Sequence, residues 1–284
     1  MSNTVRVSDL ELIARGGQSD IYAFGEGRVL RVARRERDYD RLRYEFRVYA
    51  YLGQRQAPVP RAFDLLDADG APAISMERIS GATMMDRIRK NPLGAKKVAR
   101  ELARLHAGIL QFGADPPIYD CKETARFCVS RSDLLPEGAK ACILSVVDQL
   151  PEGRNLCHGD FHPGNIIRMN DKDVIIDWSA ASRGDFHADV AHTYLLLKNV
   201  ARVPHIGRIM HALQKRIGSA VASTYLQSMG REMRVDVGLL SRWLLVKAAE
   251  RTYYGLPSEK ARLVQFITDC LGNRSSLDRC YERL

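Results

Sequence analysis

Four side chains in this sequence have the types and spacing needed to handle a phosphate: His158, Asp160, Asn165 and Asp177. The first three form H-x-D-x-x-x-x-N within Cys157-His158-Gly159-Asp160-Phe161-His162-Pro163-Gly164-Asn165-Ile166-Ile167. A polar turn, Asn170-Asp171-Lys172-Asp173, then leads into Val174-Ile175-Ile176-Asp177-Trp178, an apolar strand ending in a carboxylate. Phosphoryl transfer asks mainly for positioning and for neutralisation of charge. One carboxylate must accept or orient the proton of an attacking hydroxyl, and hard oxygen ligands must hold Mg²⁺ against the phosphates. Asp160 suits the first task, Asn165 and Asp177 suit the second, and His158 is placed to brace the loop. Any one of these triplets alone reads as an ordinary turn. The strand–turn–strand that separates the two halves makes the combination specific.

Such a loop also needs a cation for the nucleotide phosphates. Protein kinases take it from a Lys on the third strand, two residues after a small residue, and pair it with a Glu on the next helix. No Lys precedes Lys90, so the position falls to Arg31, with Val29 two residues earlier on the same strand face. Arg keeps the charge and offers a two-pronged fork to phosphate oxygens. Glu45, beside the Leu42/Phe46 stripe of the following helix, is the natural partner. Arg31 is otherwise one of thirteen arginines in residues 1–80; its register inside an apolar strand singles it out.

The string HGDFHPGNII…VIIDW resembles the signature of the aminoglycoside phosphotransferase and choline kinase superfamily, whose fold is shared with protein kinases. Val29-Leu30-Arg31, the helix bearing Glu45, Pro58-Val59-Pro60, Ile74-Ser75-Met76-Glu77 and Leu105-His106 follow in the family's order, so the resemblance covers nearly the whole chain. It implies an α+β, two-lobed protein-kinase-like fold, with an N-terminal β-sheet lobe carrying one helix and a mainly helical C-terminal lobe. It implies ATP and Mg²⁺ as cofactors and the hydroxyl of a small molecule as acceptor. It puts Met76 at the back of the adenine pocket and gives the hinge contacts to the Glu77 carbonyl and the Ile79 N–H. It makes Gly16 and Gly17 a tight hairpin whose amides, with Ser19, approach the phosphates, although the residues alone describe a plain β-turn nearly as well. Asp189, in Asp189-Val190-Ala191, resembles the family's buried Asp that steadies the catalytic loop.

The departures are informative. There is no G-x-G-x-x-G and no G-x-x-x-x-G-K-[ST], which excludes a P-loop. Trp178-Ser179 stands where protein kinases carry Phe-Gly, and no A-P-E follows, which argues against a protein kinase. Arg31 and the reduced glycine loop are the only support for a nucleotide-binding pseudokinase; intact Asp160, Asn165 and Asp177 oppose it. An aminoglycoside or other antibiotic as acceptor is the main alternative within the family. Arg183-Gly184-Asp185 reads as a brace behind the metal-binding segment, and Glu250, Tyr253 and Tyr254 on a late helix are candidates for acceptor contact. His106, His162, His187 and His192 read as structural histidines.

The elements that must position these groups divide near residue 79. Leu10–Ala14, Ile21–Phe24, Val29–Ala33, Ala62–Leu66 and Ala73–Glu77 read as strands, and Arg35–Leu52 as a helix with Leu42, Phe46 and Tyr49 on one face. Ile79-Ser80-Gly81-Ala82 is the expected hinge, giving a nucleotide-binding lobe over 1–79 and a catalytic and substrate-binding lobe over 80–284. Ala95–Leu110 is amphipathic, short strands interrupt the helices over 155–176, and helices resume from Asp189 to near Leu271.

Composition bounds the alternatives. A length of 284 residues suits two lobes better than one core. Residues 1–80 carry +1 and residues 81–284 carry +8, but basic and acidic residues alternate, so a solvated surface is favoured over nucleic-acid binding. The opening residues carry no apolar run behind a basic stretch, so a secretory signal is not expected; no segment reaches membrane length, and the six cysteines include no C-x-x-C, so a reducing cytoplasm is expected.

Overall fold

The computed structural model describes residues 4–115, 118–198, 208–272 and 280. Along the chain come β1 (Thr4–Val5), β2 (Leu12–Arg15), β3 (Ser19–Ala23), β4 (Arg28–Ala33), α1 (Tyr39–Gly53), β5 (Ala62–Ala68), β6 (Ala71–Glu77), β7 (Ala82–Thr83), α2 (Met84–Lys90) and α3 (Ala95–Leu110). Then follow α4 (Cys121–Ser130), α5 (Glu137–Gln149), β8 (Asn155–Cys157), β9 (Ile166–Met169), β10 (Lys172–Ile175), β11 (Ser182–Gly184), α6 (Phe186–Lys198), α7 (Arg208–Glu232), α8 (Val237–Tyr254) and α9 (Pro257–Gly272). The fold is α+β and comprises two compact units, Met1–Met84 with Gly164–Ala181 and Met85–Pro163 with Ser182–Leu284.

The first unit is built on a six-stranded sheet in the order β1-β5-β6-β4-β3-β2, antiparallel except at the β1–β5 edge. Strand alternation divides β4 between two faces. Leu30 and Val32 join Ala68 and Ala73 in an apolar cluster, whereas Arg31 points to α1 and meets Glu45 there. The α1 helix buries Leu42, Tyr44, Glu45, Val48, Tyr49 and Leu52. It starts later than the expected Arg35: Glu36–Asp38 wind as a 3₁₀ turn, because this charged stretch has no apolar side to bury. Strand β1 was not expected either, two residues being too short for any periodicity to register.

The expected boundary at residue 79 differs from the observed grouping. Ala82, the last residue of the expected hinge, instead forms β7 with Thr83, which pairs with β9. A Cβ at Gly81 would run into the Arg168 carbonyl, so only glycine lets these backbones approach. Ile175 N–H donates to the Pro58 carbonyl at 2.7 Å, and the Tyr44 hydroxyl to the Ala181 carbonyl at 2.6 Å. These bonds tie residues 164–181 to the first unit rather than to the helical one.

The second unit is helical around the short β8–β11 pair. Helix α3 packs on α7, and α6 on both α7 and α8. Val98, Leu102 and Ile109 lie buried on α3 as its periodicity predicts. The expected late helical run resolves into α6 to α9, and its residues 199–207 lie outside those described. No helix among the described residues is long and apolar enough to cross a membrane.

Candidate active site

In the first unit, one guanidinium gathers the polar groups. Arg31 donates from Nη1 to Glu45 Oε1 at 2.9 Å, from Nη2 to Asp177 Oδ1 at 3.3 Å, and from Nε to Ser19 Oγ at 2.9 Å. Burial alone would lower its pKa, but Glu45 and Asp177 hold it above the ordinary value, so its charge is secure. Burial pushes the Glu45 carboxyl up to about 7 against the pull of Arg31. A small polar cavity lined by Gln18, Ser19, Arg31, Asp38, Arg41, Leu42, Glu45 and Ser179 adjoins this pair.

Asp177 and Asn165 stand at one end of the β9–β10 hairpin. The ladder pairs Ile175 with Ile166, and Ile176 N–H donates to the Asn165 carbonyl at 3.0 Å. Asp177 then adopts a left-handed φ of 64°, uncommon for a non-glycine and better tolerated by Asp than by most residues. Its backbone is pinned there because its N–H donates to the Tyr49 hydroxyl at 3.1 Å. Trp178 is fully buried and donates from Nε1 to the Ile175 carbonyl at 3.1 Å, while the Ser179 hydroxyl donates to Asp177 Oδ1 at 3.0 Å. Ser179 thus contacts the carboxylate itself, while Trp178 fixes the backbone beside it. Magnesium takes few protein ligands and draws the rest from phosphates and water. The Asp177 carboxylate and the Asn165 amide fit that need as hard oxygen donors. No cluster of three His, Cys, Asp or Glu among the described residues offers a self-sufficient metal cage.

The turn at Gly16-Gly17 is a hairpin closed by the Gly16 N–H on the Ser19 carbonyl at 2.9 Å. A Cβ at Gly16 would clash with that carbonyl, whereas one at Gly17 would meet nothing. Met76 is buried on β6, Glu77 ends that strand opposite Arg28, and Ile79 follows half-buried.

In the second unit, a buried carboxylate shapes the loop that carries Asp160. Asp189, in the first turn of α6, accepts the His158 N–H on Oδ2 at 2.6 Å and the Gly159 N–H on Oδ1 at 2.9 Å. His106 Nε2 lies 3.0 Å from Asp189 Oδ2, and His106 Nδ1 lies 2.6 Å from the Tyr225 hydroxyl. Burial would raise the Asp189 pKa, but His106, His158 and the Gly159 amide hold it well below the usual carboxylate range. Gly159 turns at φ 77°, and the Asp160 N–H then donates to His158 Nδ1 at 3.2 Å. Phe161 stacks on His106 at 4.1 Å between ring centroids, which anchors the loop from below. The Asp160 carboxylate stays partly exposed, with His162 Nε2 at 3.7 Å. His106 and Tyr225 escaped the sequence reading as loop supports; Leu105-His106 in the family's order was the one available signal.

The remaining candidates are held by internal bonds. Asp185 Oδ1 accepts the His187 N–H at 2.7 Å and lies 2.6 Å from His187 Nδ1, a brace rather than a presented ligand. Glu250 is buried and accepts Lys247 Nζ on both oxygens at 2.8 and 3.1 Å. Arg251 reaches Glu259 at 2.5 Å and His192 at 3.2 Å. Burial, with Arg251 and Lys247 adding to it, pushes His192 well below its ordinary pKa and keeps it neutral. Tyr253 and Tyr254 are 41% and 48% exposed on α8.

Among solved structures, aminoglycoside-3'-phosphotransferase of type VIII superposes with a TM-score of 0.61 at 19% identity, covering 86% of this chain and 93% of that one. Amicoumacin kinase hAmiN, in complex with AMP-PNP, Ca²⁺ and Ami, gives 0.60 at 16% identity over 98% and 92%. Aminoglycoside phosphotransferase APH(3'')-Id from Streptomyces rimosus gives 0.59 at 17% identity over 86% and 93%. At such identities the likeness establishes the fold. No curated protein matches in sequence. A family profile described as the phosphotransferase enzyme family matches residues 9–230, which span both units, and the chain belongs to that family.

Proposed function

We propose that this phosphotransferase is an ATP- and Mg²⁺-dependent kinase that phosphorylates a hydroxyl of a small molecule. The observation that carries the reading is the Arg31 guanidinium joined at once to Glu45 and Asp177. A half-buried cation fixed against a partly exposed carboxylate has the chemistry to take nucleotide phosphates. The first unit supplies Arg31 for those phosphates and Asn165 and Asp177 for the metal. The Gly16-Gly17 turn and the backbone of Glu77 and Ile79, with Met76 behind, complete the nucleotide groups. Bound there, Mg²⁺ would neutralise charge on the phosphate oxygens.

The second unit supplies Asp160 as the group that orients and accepts the acceptor's proton. As the new bond forms between the acceptor oxygen and the γ-phosphorus, the bond from γ-phosphorus to its bridging oxygen breaks and ADP leaves with that electron pair. His158 and Asp189 act on Asp160 by fixing the loop. Incubation with Mg²⁺-ATP and a panel of aminoglycosides, other antibiotics, amino alcohols and sugars, read as ADP release, tests the reading. The expected result is acceptor-dependent ADP formation that chelation abolishes. Failure of calorimetry to detect Mg²⁺–nucleotide binding would overturn it.

A further inference from the structure

We propose that Ser19 is a positioning residue for the nucleotide: its hydroxyl oxygen, by accepting Arg31 Nε–H, sets the plane of the guanidinium that serves Glu45 and Asp177. The inference rests on the nucleotide-binding reading above.

The register places the contact. Strands β3 and β4 pair Ile21 with Arg31 and Ser19 with Ala33, so Ser19 and Arg31 are diagonal neighbours on one sheet face. Such diagonals lie within reach of a long side chain. Ser19 is 6% exposed, and its backbone is held at the base of the hairpin. Gly16 N–H closes on its carbonyl at 2.9 Å, Arg34 N–H donates to the Gln18 carbonyl at 3.0 Å, and Arg34 Nη1 donates to the Gly16 carbonyl at 2.8 Å. The hydroxyl is therefore presented from a fixed strand end, not from a loose loop.

Two contacts at the tip of a guanidinium leave its plane free to rock about the line that joins them. A third contact in the same plane, at Nε, removes that freedom. Glu45 and Asp177 supply the two tip contacts at 2.9 and 3.3 Å, and Ser19 supplies the third at 2.9 Å. Each acceptor meets a different nitrogen. A lysine would have to satisfy all three from a single nitrogen, so this cradle suits arginine in particular. An orientation fixed before the ligand arrives need not be fixed at the expense of binding.

A double-mutant cycle on the full chain tests this through the dissociation constant of Mg²⁺–AMP-PNP, measured by calorimetry without any acceptor. Ser19→Ala should weaken binding roughly tenfold in the otherwise unsubstituted chain, since a hydrogen bond to a charged donor is lost. In the Arg31→Lys background, the same change should weaken binding less than about twofold, because no Nε–H remains to be held. Equal weakening in both backgrounds, or none in the first, overturns the role of Ser19. If Ser19→Ala does not fold, Ser19→Thr against Ser19→Val makes the same comparison with side chains of one shape. In that case affinity should survive only with the hydroxyl, and equal affinities overturn the role. Absence of binding by the unsubstituted chain would instead overturn the functional reading itself.

Discussion

Asp189 accepts the backbone N–H of His158 at 2.6 Å, so a carboxylate on α6 fixes the loop at its turn toward Asp160. That contact holds the loop through its backbone, two residues before Asp160. Asp160→Asn should leave its backbone in place and remove the proton acceptor. Turnover should fall by about 10²–10⁴-fold, the range general bases supply, with Mg²⁺-ATP affinity nearly unchanged. Steady-state kinetics and calorimetry on the same preparation check both parts; turnover like that of the unsubstituted chain would remove the assignment.

Asp177 and Arg31 share one contact and should nevertheless fail differently. Asp177→Ala removes a hard oxygen donor and should abolish the magnesium dependence of nucleotide binding. Arg31→Ala should weaken binding by about 10–100-fold while magnesium dependence survives, as expected for loss of a charge-assisted contact. Arg31→Lys should recover part of that loss. Titrations of ATP at several magnesium concentrations separate these outcomes, and normal ATP binding by Arg31→Ala would refute the phosphate role.

Two buried carboxyl groups should give stability opposite dependences on pH. Asp189 is held below its ordinary 3.8, so its contribution is complete above that pH and is lost as pH falls through the folded-state value. Glu45 is raised from 4.5 to about 7, so its contribution is complete below 4.5 and is lost as pH rises through about 7. Asp189→Asn should cost about 2–4 kcal/mol near neutral pH and flatten the acid limb. Glu45→Gln should flatten the change between about pH 5 and pH 8. Urea midpoints across pH provide the check; an acid limb as steep in Asp189→Asn as before contradicts the first expectation.

Polycationic acceptors need unneutralised carboxylates, because desolvating several ammonium groups is tolerable only beside them. Residues 81–284 carry +8, and Asp185, Asp189, Glu250 and Glu259 are buried with cationic or histidine partners of their own. Neutral, anionic or weakly charged hydroxyl compounds should therefore outperform kanamycin-like aminoglycosides in initial rate at matched concentration. Efficient turnover of a kanamycin-type acceptor with a micromolar Michaelis constant would reverse this order.

What was legible in the sequence was what is local. His158 to Asp177 could be read because the loop, the turn and the buried strand are contiguous. Arg31 could be read because strand alternation sets Leu30 and Val32 apart from it. The bond from Arg31 to Asp177 joins residues far apart in the chain, and the tether to Ser19 depends on a hydroxyl with no pattern of its own. Glu250 read as a candidate for acceptor contact, but it is buried against Lys247, and only that mutual pairing allows both to be buried. Residues 164–181 follow the catalytic loop without a break, so nothing in their pattern reveals that they fold with the first unit.

That last grouping bears on how the protein is made. The ribosome delivers residues 1–84, with all six strands of the large sheet, long before residues 164–181, so the first unit must wait, incomplete, while the intervening chain is synthesised. During that interval β7 lacks its partner β9, and the Pro58 carbonyl and the hydroxyls of Tyr44 and Tyr49 lack the backbone groups they bond in the finished unit. A fragment ending at Met84 is thus not the whole first unit, which becomes a complete structure only once Ala181 has emerged.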